Sequence, residues 1–338
     1  MKTRIALFAA AGLLLATSAM AAEITGAGST FVYPILSKWS NDYKAGDQIN
    51  YQSIGSGGGI QQIENKTVTF GASDKPLSTQ ELDKYGMTQF PVIVGGEAVI
   101  VNLPGIKAGE IVLDGPTLAN IYLTHIKTWN DPAIKKLNPK VNLPATPILL
   151  VHRADGSGTT FIFANYLSKV SPEWASKVGA DTALQWPGGV GGKGNEGVSA
   201  SVQQLSGSIG YVEYAYAMQT HLVYTKLINK AGKTLDPSID TFKAAAASAD
   251  WVGASSQAFN MVLVDQPGAN AWPITGATWV IMYKNPPDKV ATASALKFFR
   301  WAYESDDAAA ASLDYVALPD NAVKAIETSW KSIQGSGM

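Results

Sequence analysis

Three corners of the chain combine glycine with hydroxyl side chains: GAGSTF at 26–31, GSGGG at 55–59 and DGSGTT at 155–160. Each follows a short extended or apolar run and precedes a segment with apolar residues at helical spacing, so each reads as a strand-to-helix corner. A helix start leaves backbone N–H groups unpaired and carries the positive end of the macrodipole, which suits it to an anion. Glycine lets a ligand approach the backbone, and Ser or Thr hydroxyls add donors. Because glycine and serine also build ordinary turns, one corner alone says little, whereas three make an oxyanion cradle the chemistry to test. Arg153 can donate bidentately to an oxyanion, and Asp155 can hold the guanidinium in place; the plain alternative is a surface ion pair. Asp74, closing the stretch GASD, is the odd group, because a carboxylate repels an anion. It fits such a cradle only if the ligand brings a proton to donate to it.

Other chemistries fail on spacing. In PGGVGGKGN, Pro187 and Gly194 stand where a nucleotide-hydrolase phosphate loop needs Gly and Ser or Thr. Gly189, Gly191 and Gly194 have dinucleotide-fingerprint spacing, but they follow ALQWP instead of a strand, so this run reads as a loop. There is no Gly-x-Ser-x-Gly elbow, and His125, His152 and His221 show no metal-ligand spacing. The absence of cysteine removes disulfides, thiolate sites, Cys nucleophiles and lipid attachment through an N-terminal Cys. No catalytic set, metal or cofactor is expected.

The elements that must position the corners alternate between strand and helix patterns, which predicts an α/β fold with largely parallel strands. Val32, Ile35, Leu36, Trp39 and Tyr43 share one helical face, and Ser78-Thr79-Gln80-Glu81 is a capping-box signature. Two long apolar runs, 89–102 and 271–284, carry Gly or Pro interruptions, as strands crossing between two lobes would. Val323, Ile326, Trp330 and Ile333 make one face of a last helix behind the N-cap candidate Asp320. With 338 residues, 46% of them hydrophobic, the chain is long enough for two packed lobes. Lys2 and Arg4, the apolar stretch Ile5 to Ala16 and Ala19-Met20-Ala21 form a secretory signal peptide over 1–21. Removing Lys2 and Arg4 from 26 basic residues leaves 24 against 27 acidic ones, a net charge of −3, which argues against nucleic acid.

Together, TGAGSTF, YQSIGSGGG, FGASDKPLS, RADGSGTTF and GSIGYVEYAYA resemble the periplasmic phosphate-binding proteins of ATP-binding-cassette phosphate uptake transporters. The likeness runs from about Ile24 to near the C-terminus, through IVLDGPTLANIYL, GGKGN, AWPIT and LDYVALPD. It implies a type II periplasmic binding protein fold: two hinged α/β lobes, each a mixed sheet flanked by helices, with inorganic phosphate in the cleft. It also implies a non-enzymatic, cofactor-free monomer in the periplasm, partnered by inner-membrane permease subunits. Position by position, the contacts implied are Thr30 and Phe31 (backbone N–H, plus the Thr hydroxyl), Ser56 and Asp74 from one lobe. Arg153, Ser157, Gly158 and Thr159 come from the other, with Asp155 paired to Arg153. Lobe I is expected at 22–100 plus 276–338 and lobe II at 101–275, with hinge crossings near 95–102 and 273–282. In this family the carboxylate matching Asp74 accepts a proton-bearing phosphate oxygen, while sulfate offers it only a bare oxygen. His152 and Gly57 depart from the pattern, standing where relatives often have a second basic residue and a second Ser. Three rivals stay open: a receptor for another tetrahedral oxyanion, a secreted phosphatase, and an adhesin on the same fold.

Overall fold

The computed structural model describes residues 23–45, 47–305 and 307–337; the signal peptide expected over 1–21 lies outside them. The described residues form twelve strands: β1 (Glu23–Gly28), β2 (Gln48–Ser53), β3 (Phe70–Ser73), β4 (Met87–Val101), β5 (Val112–Asp114) and β6 (Leu149–Arg153), then β7 (Val190–Gly192), β8 (Ser208–Glu213), β9 (Val223–Tyr224), β10 (Lys226–Ile228), β11 (Thr234–Leu235) and β12 (Thr275–Tyr283). The main sheet runs β2-β1-β3-β12-β4-β8-β6-β7, with β9 also on β4, and a small sheet runs β11-β10-β5.

The 15-residue β4 is buried along its whole length, as a strand covered on both faces must be. Met87 to Gly96 pair antiparallel with β12, while Glu97 to Val101 pair antiparallel with β8. β4 therefore belongs to two mixed half-sheets, one on each side of Gly96 and Glu97, and the fold is two-lobed. The expectation of largely parallel strands needs correction. β1 with β2 and β3, and β6 with β7 and β8, are parallel, but every main-sheet pair made by β4 or β12 is antiparallel. The reason is that β12 lies between β3 and β4 and runs back beside Met87 to Gly96, while β8 runs back beside Glu97 to Val101. Next to Pro91, which has no N–H to give, the register slips between Thr278 and Trp279.

The helices follow the apolar periodicity. Tyr33–Asp42 buries Ile35, Leu36 and Trp39. Thr79–Tyr85 begins at the expected capping box, with Ser78 Oγ accepting from Glu81 N–H and Glu81 accepting from Ser78 N–H. The last helix is Asp320–Ser329, and its N-cap is Pro319, so Asp320 sits in the first turn without capping it. PGGVGGKGN is not a plain loop: β7 pairs parallel with β6 and a helix starts at Gly194, giving a fourth strand-to-helix corner. The short strand was hidden because its three residues are Val and two glycines, with little apolar signal. No helix among the described residues is long and apolar enough to cross a membrane.

Candidate functional site

β1, β2, β3 and β6 all end at the same crevice, and helices start just beyond three of these ends, at Tyr33, Ser56 and Gly158. The carboxyl ends of strands in open α/β sheets are where ligands are held. Thr30, Phe31, Ser56, Asp74, Arg153, Ser157 and Thr159 converge here, none more than 3% exposed. Gly158 is buried with them, and Asp155 is partly covered. The two sides touch through backbone. Gly57 N–H donates to the Gly156 carbonyl at 2.8 Å. A Cβ on Gly158 would stand 2.4 Å from Ser56 Oγ and 2.5 Å from Asp74 Oδ2, so only glycine lets the corners meet.

On one side, Arg153 is oriented by a bidentate pair: Nε donates to Asp155 Oδ1 at 2.8 Å and Nη2 to Oδ2 at 2.6 Å. Nη1 donates to Thr159 Oγ1 at 3.1 Å. Burial on its own would raise the Asp155 carboxyl, but the hydrogen bonds and charge of Arg153 overcome it and hold the group below the usual range. Ser157 caps the helix Gly158–Val170, its hydroxyl accepting from Thr160 N–H at 3.0 Å. The first N–H groups of that helix, on Gly158 and Thr159, have no acceptor within the helix.

On the other side Asp74 makes no ion pair among the described residues. Its carboxylate accepts from Thr278 Oγ1 at 2.6 Å and from Ser56 Oγ at 3.4 Å. Burial pushes it up to about 6, against the pull of Ser29, Thr278, Arg153 and Ser56. A buried carboxylate surrounded by hydroxyls and short of a cation is a ready proton acceptor. Of the two backbone donors expected at the Thr30–Phe31 corner, Phe31 N–H already donates to Ser29 Oγ at 2.9 Å.

Several residues absent from the sequence-level set complete the constellation. Asn195, fully buried at the start of the Gly194–Gln204 helix, donates from Nδ2 to Thr30 Oγ1 at 2.7 Å and lies 3.5 Å from Thr159 Oγ1. It thereby links both sides of the crevice. The signal is the GGKGN run, which belongs to the family resemblance but supplies no residue to the contact set implied by it. Thr278 was masked by the apolar run around it. Tyr216 Oη donates to the Thr30 carbonyl at 2.7 Å and Tyr315 Oη to the Phe31 carbonyl at 2.6 Å. His152 stacks on Trp186 with ring centres 4.8 Å apart and contacts the Arg153 carbonyl through Nδ1 at 3.0 Å.

Comparison with known proteins gives the family. A PBP superfamily domain profile matches residues 16–307. A phosphate-binding protein PstS of Xylella fastidiosa (strain Temecula1) is 54% identical over 312 residues, covering 92% of this chain and 85% of the relative. The PstS of Pasteurella multocida is 49% identical over 319 residues, covering 94% and 92%. Among solved structures, a high-affinity periplasmic phosphate-binding protein bound with phosphate superposes with a TM-score of 0.72 at 20% identity, covering 93% of this chain and 97% of that one. A phosphate-binding protein from Stenotrophomonas maltophilia gives 0.68 at 19% identity, covering 91% and 94%. Those two likenesses carry the fold, and the sequence identities carry the kinship. With its cradle of strand-to-helix corners and these relatives, the chain belongs to the PstS family of phosphate-binding proteins within the PBP superfamily.

Proposed function

We propose that the protein is the phosphate receptor of an ATP-binding-cassette uptake system, binding inorganic phosphate outside the inner membrane and presenting it to permease subunits without chemistry. The observation that carries this reading is the pairing of one anchored guanidinium, Arg153, with a cation-poor, hydroxyl-lined carboxylate, Asp74, inside one buried crevice. Arg153 with Ser56, Thr30, Ser157 and Thr159, and the N–H groups of Gly158 and Thr159, would supply donors to the phosphate oxygens. Asp74 would accept the hydrogen of monohydrogen or dihydrogen phosphate. Sulfate carries no such hydrogen at neutral pH, and a bare oxygen against Asp74 would cost it about 3 kcal/mol. Phe31 N–H can join only by sharing or leaving Ser29 Oγ, which makes it the weakest of the expected contacts.

We place lobe I at 22–100 plus 276–338 and lobe II at 101–275, with hinge crossings near 95–102 and 273–282, the stretches in which β4 changes partner between Gly96 and Glu97 and residue 274 hands its carbonyl to Glu97 N–H at 2.8 Å. The signal peptide expected over 1–21 would deliver the monomer to the periplasm. Equilibrium dialysis of ligand-stripped protein against labelled phosphate, sulfate and arsenate, with p-nitrophenyl phosphate followed in parallel, tests the proposal. Retention of phosphate and arsenate, rejection of sulfate and no ester turnover are expected. Sulfate retention equal to phosphate, or turnover by the pure protein, would overturn it in favour of another oxyanion receptor or a phosphatase.

A further inference from the structure

The stretch GSIGYVEYAYA contributes Tyr216 to the crevice, yet its single acid, Glu213, is not used by the cradle. Glu213 closes β8, is fully buried, and stands directly across the strand pair from Glu97. Its Oε2 accepts from Ala215 N–H at 2.9 Å and lies 3.0 Å from Tyr315 Oη, while Oε1 has no hydrogen-bond partner among the described residues. The same Tyr315 Oη lies 2.6 Å from the Phe31 carbonyl oxygen. A phenol has one proton, and a carbonyl can only accept. The Tyr315 proton therefore belongs to the shorter contact, with Phe31. At the 3.0 Å contact two oxygens would then face each other with no hydrogen between them, unless Glu213 supplies it.

We infer that Glu213 is a protonated positioning residue: it donates to Tyr315, Tyr315 donates to the Phe31 carbonyl, and this chain fixes the Thr30–Phe31 corner from the opposite lobe. Phe31 and Tyr315 belong to lobe I as placed above and Glu213 to lobe II, across from Glu97 at the hinge, so the chain ties the corner to the hinge.

The surroundings favour the neutral acid. From β4, Glu97 faces it with neither carboxyl oxygen hydrogen-bonded among the described residues. Asp314 precedes Tyr315, and its charge adds to the effect of burial in pushing the Glu213 carboxyl well above the usual range. From the following helix comes Tyr216, whose Oη also lies 3.0 Å from Glu196 Oε1. Asn195 Oδ1 accepts Glu213 N–H at 3.0 Å. The nearby cation of the site, Arg153, is tied bidentately to Asp155.

The inference rests on the phosphate reading and is tested by titrating inorganic phosphate into the ligand-stripped mature protein at pH 7 and by infrared difference spectra of wild type against Glu213→Gln in saturating phosphate. Glu213→Gln keeps a donor toward Tyr315, so its affinity should stay within about threefold of wild type, while the difference spectrum loses the C=O band of one protonated carboxyl. Glu213→Ala and Tyr315→Phe should each weaken phosphate by about tenfold or more. A difference spectrum that loses an ionised carboxylate instead, or a Gln variant as weak as the Ala variant, would overturn the inference while leaving phosphate binding intact. Wild-type protein that binds no phosphate would overturn the receptor reading itself, and this inference with it.

Discussion

The Arg153 corner and the Asp74 corner each centre on a buried or half-buried aspartate, and the two aspartates are pushed in opposite directions. Asp155 spends both oxygens on one guanidinium and sits below the usual carboxylate range. Asp74 receives only hydroxyl donors and is lifted to about 6. The difference is one of neighbours, since both carboxyls feel burial. Asp155 fixes where a positive charge points, and Asp74 is kept as a base. On the proposed reading, one corner would supply attraction for any small oxyanion, and the other would ask whether that oxyanion carries hydrogen.

The largest expected effect breaks the first corner. Arg153→Met removes the fixed cation and leaves Asp155 without its partner, so phosphate binding should weaken by about a thousandfold or more. A loss under about tenfold, measured by equilibrium dialysis, would mean that neutral donors supply most of the attraction. Next is the pH response of stability in ligand-free protein, which has opposite signs at the two aspartates. Asp74 is raised when folded, so its contribution is full below its ordinary value of 3.8 and is lost as pH rises through about 6. Relative to wild type, Asp74→Asn should therefore gain about 3 kcal/mol between pH 4 and pH 7 in urea unfolding. Asp155 is depressed, so its contribution is present above the ordinary range and lost as pH falls. Asp155→Asn should thus cost stability at pH 7 and progressively less toward pH 3. Parallel pH curves for both variants and wild type would contradict the opposed environments.

A smaller effect concerns the approach of the corners. Gly158→Ala would set a methyl 2.5 Å from Asp74 Oδ2. Phosphate should bind about ten- to a hundredfold more weakly with the fold retained, and scattering should show a more open ensemble in saturating phosphate. The smallest is at the crevice mouth, where Lys75 Nζ meets Asp181 Oδ1 at 2.8 Å with side chains 24% and 56% exposed. Lys75→Ala should speed phosphate release only a few-fold, an effect that shrinks in high salt, because exposed pairs contribute under about 1 kcal/mol.

Much of this was legible in the sequence. The capping box at Ser78, the buried face of Tyr33–Asp42 and the two long apolar strands are local patterns, set by residues close in sequence. The motif resemblance gave the convergence of Thr30, Ser56, Asp74 and Arg153, which spacing by itself does not. The Gly194 corner escaped because a Val and two glycines carry almost no strand signal, and with it went Asn195, whose partner Thr30 is 165 positions away. Thr278 and Tyr315 escaped for the same reason: each acts across more than 200 positions, on Asp74 and on Phe31. Their hydroxyls look like strand and core residues until the chain is folded.

The comparison of corners is tested most directly by calorimetric titration of phosphate and of sulfate into wild type, Asp74→Asn and Arg153→Met, all ligand-stripped and at pH 7. Asp74→Asn should lose the preference for phosphate over sulfate by about a hundredfold, chiefly by admitting sulfate, while Arg153→Met should weaken both anions together. An unchanged preference in Asp74→Asn, or a preference altered by Arg153→Met instead, would contradict the division of labour between the two aspartates.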